Sequence, residues 1–452
     1  MFELVKGRKF DLLNAKETIK LAHAFFSGKE LVQMYKQKQP GKKIVSVSFP
    51  FSELVYAMDA IPLNLVRYED FTYKGMDGLL RYLTTITKTL GWNSIDSLLK
   101  LAYFTRSGAD LVDFFVDNMI TAYNERTAFL TKLAEKNGFP VDSCFGSRLM
   151  YGMNVHNSKI VDASIDWVYR CPFFYKYYDS LGGLVKNNYI VDVPLDSGEV
   201  AEKTLEADFM ELVSMLETVT GNKFSEERLA EAITITNELK ALYKEILFVI
   251  SKNGVIPYNP LTFSEVQALL MFSYVDFNSN LKAYRSNVKN LYAEMLRRVD
   301  QGLGFDATGH AKILYMPMFT GLEQENLKML ARFDAEVIFA DWEVLGMLEP
   351  VSTTGNVVRN FIRHFLRLNQ YFGPSSELLS NSMIRVAREL DVDGVLFQGT
   401  FACKNIGPVL KMFKEKARAS GIPVVETSFN NVGENVEQNK TRLEAFMEMI
   451  KA

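Results

Sequence analysis

The chain has 452 residues, 48% of them hydrophobic and 23% charged, which is enough apolar material for two or three cores. Its formal net charge of −3 gives no global basic field, so nucleic acid and anionic membrane surfaces are not expected partners. No apolar run approaches the roughly 18 residues of a membrane-spanning helix, and the opening MFELVKGRKFDLLN lacks the layout of a signal peptide. The three cysteines are too few for a disulfide framework, and a cytoplasmic, reducing setting is the expectation.

Residues 10–38 read as helix, with Leu12, Leu13, Ile19, Leu21 and Ala22 at helical spacing. The run 43-KIVSVSF-49 reads as a buried strand. Pro50 halts it, a helix starts at Ser52, and 61-IPLNLV-66 follows as a second strand. A helical region then extends over roughly 73–138 and stops at Gly138 in the C-cap position. Cys144 comes directly afterwards in 142-DSCFGSRLMYG-152. The run 160-IVDASIDWVY-169 reads as a strand, Cys171 opens a helix, and 189-YIVDVPL-195 is the next strand. Residues 206–300 look wholly helical, and the capping box Thr262-Phe-Ser-Glu265 marks one of the helix starts.

The last third returns to alternation, with strands expected at 312–318, 336–342, 394–399 and 422–429 and helices between them. The expected fold is α/β: two doubly wound parallel-sheet domains with a substantial helical N-terminal and connector portion. The expected boundaries are an N-terminal helical segment over 1–40 and a first α/β domain over 41–205 with a helical insertion. A helical connector over 206–300 and a second α/β domain over 301–452 complete the division.

Cys171 and Cys403 each stand between a strand and a helix, so both are expected at the carboxyl ends of strands, where open α/β sheets bind ligands. A thiol in the first turn of a helix sits near the positive end of the peptide dipoles. Thiolates bind iron or zinc. Scattered cysteines are also common as packing residues, and spacing alone leaves both readings open.

The segment 142-DSCFGSRLMYGMNVHNSKIVDASIDWVYRCPFFYKYY-178 resembles the paired-cysteine region of the 2-hydroxyacyl-CoA dehydratase / benzoyl-CoA reductase family. So do 50-PFSELVYAMDAIP-62, 393-DGVLFQGTFACKNIGPVLKMFKEKA-417, 421-GIPVVETSFNN-431 and 441-TRLEAFMEM-449, in the family's order. The resemblance implies a 4Fe–4S cluster held by Cys144, Cys171 and Cys403 with an open fourth position. It further implies a second homologous subunit, an ATP-hydrolysing iron–sulfur activator and an acyl-CoA substrate. The implied reaction is dehydration of an (R)-2-hydroxyacyl-CoA through a ketyl radical after injection of one electron. A class I benzoyl-CoA reductase subunit and a non-catalytic electron relay are the alternatives.

Glu53 matches the carboxylate of the family's P-x-x-E-L motif and is the implied proton carrier, although a first-turn acid also suits the helix dipole. The resemblance also implies a nearby serine, for which Ser46, Ser48 and Ser52 are all candidates, Ser52 standing next to Glu53. Asp59-Ala60 departs from the glycine–alanine pair of many members, and Met316-Pro317-Met318 departs from a glycine-containing turn. The four histidines share no ligand spacing; His156 alone lies between two implied ligands. Arg148 and Lys404 read as solvated cations ahead of partners for the CoA phosphates, and the aromatic group from Phe173 to Tyr178 as helix packing or a shield for the cluster.

Overall fold

Runs rich in Val, Ile and Leu, apolar on both faces, build two parallel sheets in the computed structural model, which describes residues 16–26, 28–67, 85–87, 89–91, 94, 111–167, 172–181, 183–316, 323–372, 376–401, 403 and 406–452. Helices α1 (Lys16–Phe26) and α2 (Gly28–Lys38) lead into β1 (Ile44–Val47), α3 (Ser52–Ala57) and β2 (Ile61–Leu63). Helices α4 (Leu111–Lys136) and α5 (Phe145–Asn157) precede β3 (Ala163–Trp167), α6 (Pro172–Leu181) and β4 (Asn188–Val191). The central stretch contains α7 (Glu199–Thr220), α8 (Glu226–Glu245), β5 (Val255–Ile256), α9 (Pro260–Ser273), α10 (Leu281–Asp300) and β6 (Phe305–Asp306). The second sheet follows with β7 (Ala311–Met316), α11 (Gln324–Arg332), β8 (Ala335–Phe339), α12 (Asp341–Val344), α13 (Val357–Phe372) and α14 (Ser376–Glu389). It ends with β9 (Gly394–Thr400), α15 (Ile406–Ala419), β10 (Val424–Phe429) and α16 (Val436–Lys451).

The first sheet has the order β2-β1-β3-β4 and the second β10-β9-β7-β8, every pairing within them parallel. Counted from its own first strand, each sheet runs 2-1-3-4. The chain therefore reverses direction between β1 and β3 in one and between β7 and β9 in the other. Those are the switch points at which crevices open beyond the carboxyl ends of strands.

Side chains alternate between two buried faces. In the second sheet, Ile313, Tyr315 and Val337 pack with residues of α9, α11 and α16, while Leu314, Met316 and Ile338 pack with α12, α14 and α15. In the first, Val45 and Val47 pack on α3 and α7, and Ile44 packs with Val32 of α2. Helix α13 serves both cores. Val357, Val358, Phe361, Ile362, Phe365 and Leu366 belong to the first, and Leu368 and Tyr371 to the second.

Two local expectations change. The stretch expected to be wholly helical is interrupted by β5, which pairs antiparallel with β6. Helix α9 starts before the Thr262–Glu265 box, because Asn259 accepts from Thr262 N at 3.0 Å and Pro260 stands at the first helical position. Glu265 is buried and accepts from Gln324 Nε2 at 3.1 Å instead of closing a box. Among the described residues, no helix is long and apolar enough to cross a membrane.

Candidate metal centre

Cys144 is the N-cap of α5, in extended backbone conformation (φ −65°, ψ 156°) and 6% exposed. Its carbonyl accepts from Arg148 N at 3.2 Å and from Ser147 Oγ at 3.0 Å, and its Sγ lies 3.5 Å from that hydroxyl. The thiol thus stands at the positive end of a 13-residue helix. That helix does not show in the sequence pattern. Its buried side chains include Ser147, Arg148, Asn154 and Asn157 beside Phe145 and Tyr151, so no apolar stripe marks it. Gly152 lets α5 lie close against α4: a Cβ there would come within 1.9 Å of Leu130 O.

Cys403 follows the carboxyl end of β9 and is half-buried, with its N–H on Thr400 O at 3.2 Å. The neighbouring Phe401 donates its N–H to Phe429 O at 3.0 Å. Phe145, next to Cys144, sets its ring edge-on to that of Phe429 at 5.3 Å between centroids. The carboxyl edge of the second sheet and the start of α5 therefore meet at Phe429, the last residue of β10, with a cysteine close by in the chain on each side.

Cys171 lies outside the described residues. The elements around it, β3 ending at Trp167 and α6 beginning at Pro172, follow the same strand order as β9 and α15 around Cys403. Among the described residues, no three His, Cys, Asp or Glu side chains group as a metal site. Met316 is the last residue of β7, and the rest of the departing Met316-Pro317-Met318 stretch also lies outside the described residues, as does Lys404.

Glu53 sits in the first turn of α3, buried against α8. Burial raises its carboxyl, opposed by the Lys240 ammonium, its own backbone N–H and the Thr236 hydroxyl. Lys240 is 2% exposed and donates to Glu349 O at 3.0 Å. Burial pushes its ammonium down to about 8 against the pull of Glu53 and Glu349. Ser52 is committed elsewhere: its hydroxyl donates to Val275 O, tying α3 to the segment before α10. Ser46 is buried within β1.

Ser48 lies just past β1 at the β1/β3 switch point, 3.4 Å from Ile165 O and within hydrogen-bonding reach of Asp166. Asp166, on β3, is a buried acid that the sequence reading passed over. Burial pushes its carboxyl up to about 7, opposed by bonds from Tyr177 and Ser48. Tyr177 of α6 donates to Asp166 Oδ2 at 2.9 Å and accepts from Asn154 Nδ2 of α5 at 2.9 Å. One polar chain thus joins α5, α6 and β3. The sequence signal was an acid inside an otherwise apolar strand.

Tyr178 donates to Trp167 O, so both tyrosines pin α6 back onto β3 and Tyr175 alone of the three is exposed. His156 lies on the surface, edge-on to Phe129 at 5.7 Å. Arg148 is not a solvated cation. Its side chain is fully buried among acceptors from Glu135, Asn430, Asn431 and Ser143.

The family model described as 2-hydroxyglutaryl-CoA dehydratase, D-component, matches residues 47–450, from the end of β1 to the end of α16. No curated protein matches the chain at a significant level. The match over that span places the chain in the 2-hydroxyglutaryl-CoA dehydratase D-component family.

Proposed function

We propose that the chain is the cluster-bearing subunit of a 2-hydroxyacyl-CoA dehydratase, working with a second, related subunit and an ATP-hydrolysing electron donor. The observation that carries this reading is the meeting of Cys144 and the Cys403 edge at Phe429. Cys171, between β3 and α6 in the chain, is the third ligand that the family resemblance implies. A thiolate set of this kind, split between a helix N-terminus and a strand end, suits iron–sulfur ligation. When bound, such a cluster supplies one-electron transfer and an open Lewis-acid position.

The protein's own residues would do the rest. Glu53, its carboxyl raised by burial, is suited to carry a proton to the departing hydroxyl. Lys240 beneath it keeps that carboxyl from rising further. Tyr177 and Tyr178 hold the second half of α6 against β3.

Anaerobic reconstitution with iron and sulfide tests the proposal. The chain should bind about four irons, and Cys144→Ser, Cys171→Ser and Cys403→Ser should each lower that content. With its partner subunit and activator it should dehydrate a 2-hydroxyacyl-CoA. A colourless reconstituted protein, or turnover of benzoyl-CoA but not of 2-hydroxyacyl-CoAs, would overturn it.

A further inference from the structure

We propose that Arg148 is a positioning residue that holds the two cysteine-bearing edges in register. This inference rests on the cluster reading above. Arg148 lies one turn into α5, four residues after Cys144, and its N–H closes on the Cys144 carbonyl at 3.2 Å. All five side-chain N–H groups find acceptors. Nε donates to Ser143 O at 3.1 Å, just before the thiol. Nη1 donates to Glu135 Oε1 and, at 2.9 Å, to Asn431 Oδ1. Nη2 donates to Asn430 O at 2.6 Å and to Asn430 Oδ1 at 2.8 Å.

These acceptors belong to two sides of one seam. Ser143 directly precedes Cys144 and Glu135 lies at the end of α4 in the first α/β unit, and Asn430 and Asn431 directly follow Phe429 at the end of β10 in the second. The backbone of β10 in turn holds Phe401 and the approach to Cys403. A guanidinium with its fork filled from both sides fixes direction as well as distance, which a lysine ammonium cannot do. Each sheet has its own apolar core, and neither Phe145 nor Phe429 at the seam belongs to it. Loss of the strap should therefore loosen the spacing of the two thiols while both cores stay folded.

The test compares wild type with Arg148→Met, Arg148→Lys and Asn431→Ala as full chains, reconstituted anaerobically with iron and sulfide. Thermal unfolding by circular dichroism establishes folding. The readouts are iron per chain, the rate of iron loss to an excess of chelator, and the electron paramagnetic resonance signature of the reduced protein. Arg148→Met is expected to fold, to lose iron roughly 10–100-fold faster and to show an altered signature, the scale usual for residues that orient metal ligands. Arg148→Lys should fall between it and wild type, and Asn431→Ala should show a smaller loss in the same direction.

Wild-type retention and signature in Arg148→Met overturn the inference. If Arg148→Met does not fold, Asn431→Ala decides, and wild-type behaviour there overturns it equally. A wild-type chain that takes up no iron removes the cluster reading and this inference with it. A loaded wild type with indifferent variants removes the inference alone.

Discussion

Tyr177 donates its hydroxyl to Asp166 at 2.9 Å, and burial holds that carboxyl at about 7 in spite of the bond. The native state therefore binds this proton more tightly than the unfolded chain, whose carboxyl titrates near 4. The Asp166 contribution to stability is fully present below about pH 4, is lost as pH rises through about 7, and stays lost above that. Asp166→Asn should flatten this fall, seen as a smaller difference between urea midpoints at pH 5 and pH 8.5. Tyr177→Phe should cost about 1–2 kcal/mol near neutral pH, because Asp166 and Asn154 both lose a partner in a buried place.

Glu336 offers a second pH dependence of the same sign. It is buried in β8, neither oxygen has a hydrogen-bond partner, and burial pushes its carboxyl up to about 8 with only Lys312 opposing. Stability should decline as pH rises from about 4.5 to about 8. Glu336→Gln should remove that decline and raise stability above pH 8 by a few kcal/mol, on the order set by a shift of this size. Chemical denaturation across pH 5–9 reads it directly. An unchanged slope in the variant would show that Glu336 is not the group titrating.

Glu53→Gln should lower kcat of the assembled enzyme by roughly 10²–10⁴-fold with a smaller effect on KM, if the carboxyl moves a proton during turnover. Lys240→Met supplies the sign. The ammonium holds the Glu53 carboxyl down, so without it the Glu53-linked inflection in the pH–rate profile should move to higher pH.

Asp59 has a left-handed backbone, φ 53°, at the turn between α3 and β2, and its carboxylate meets Lys42 Nζ at 2.9 Å. Glycine would hold this conformation freely, and aspartate is among the residues that tolerate it. Asp59→Gly should leave stability within about 0.5 kcal/mol, whereas Asp59→Ala should cost about 1 kcal/mol, because alanine pays for the left-handed turn and loses the ion pair. Thermal melts of the two variants separate backbone from charge. Equal stabilities would show that the turn conformation is not what matters.

Strands such as β7 and β8 were legible in the sequence because they are buried along most of their length and leave largely apolar runs. Cys403 was legible as a strand-end thiol for the same reason. Helix α5 was not, since it buries Arg148, Asn154 and Asn157 for reasons lying far along the chain: Asn430 and Asn431 for the arginine, Tyr177 for Asn154, and Leu65 O for Asn157. Arg148 looked like a surface cation because the two asparagines that complete its set of acceptors, Asn430 and Asn431, lie far along the chain. Lys240 and Asp166 went unremarked because a charge in the interior reads, in one dimension, like any other charge. Glu53 was found through its motif, but its burial against α8 depends on a helix that no local pattern could bring to it.

Helix α13 lends six side chains to the first core and two to the second. Its sequence position lies between β8 and β9, within the second sheet's own crossover. A cut made ahead of β7 would leave the earlier fragment with a stripped apolar flank, and that piece should aggregate when expressed without the remainder. The two halves are laced together like a dovetail joint. Because α13 is packed into both cores, drawing the halves apart would strip apolar side chains from one of them.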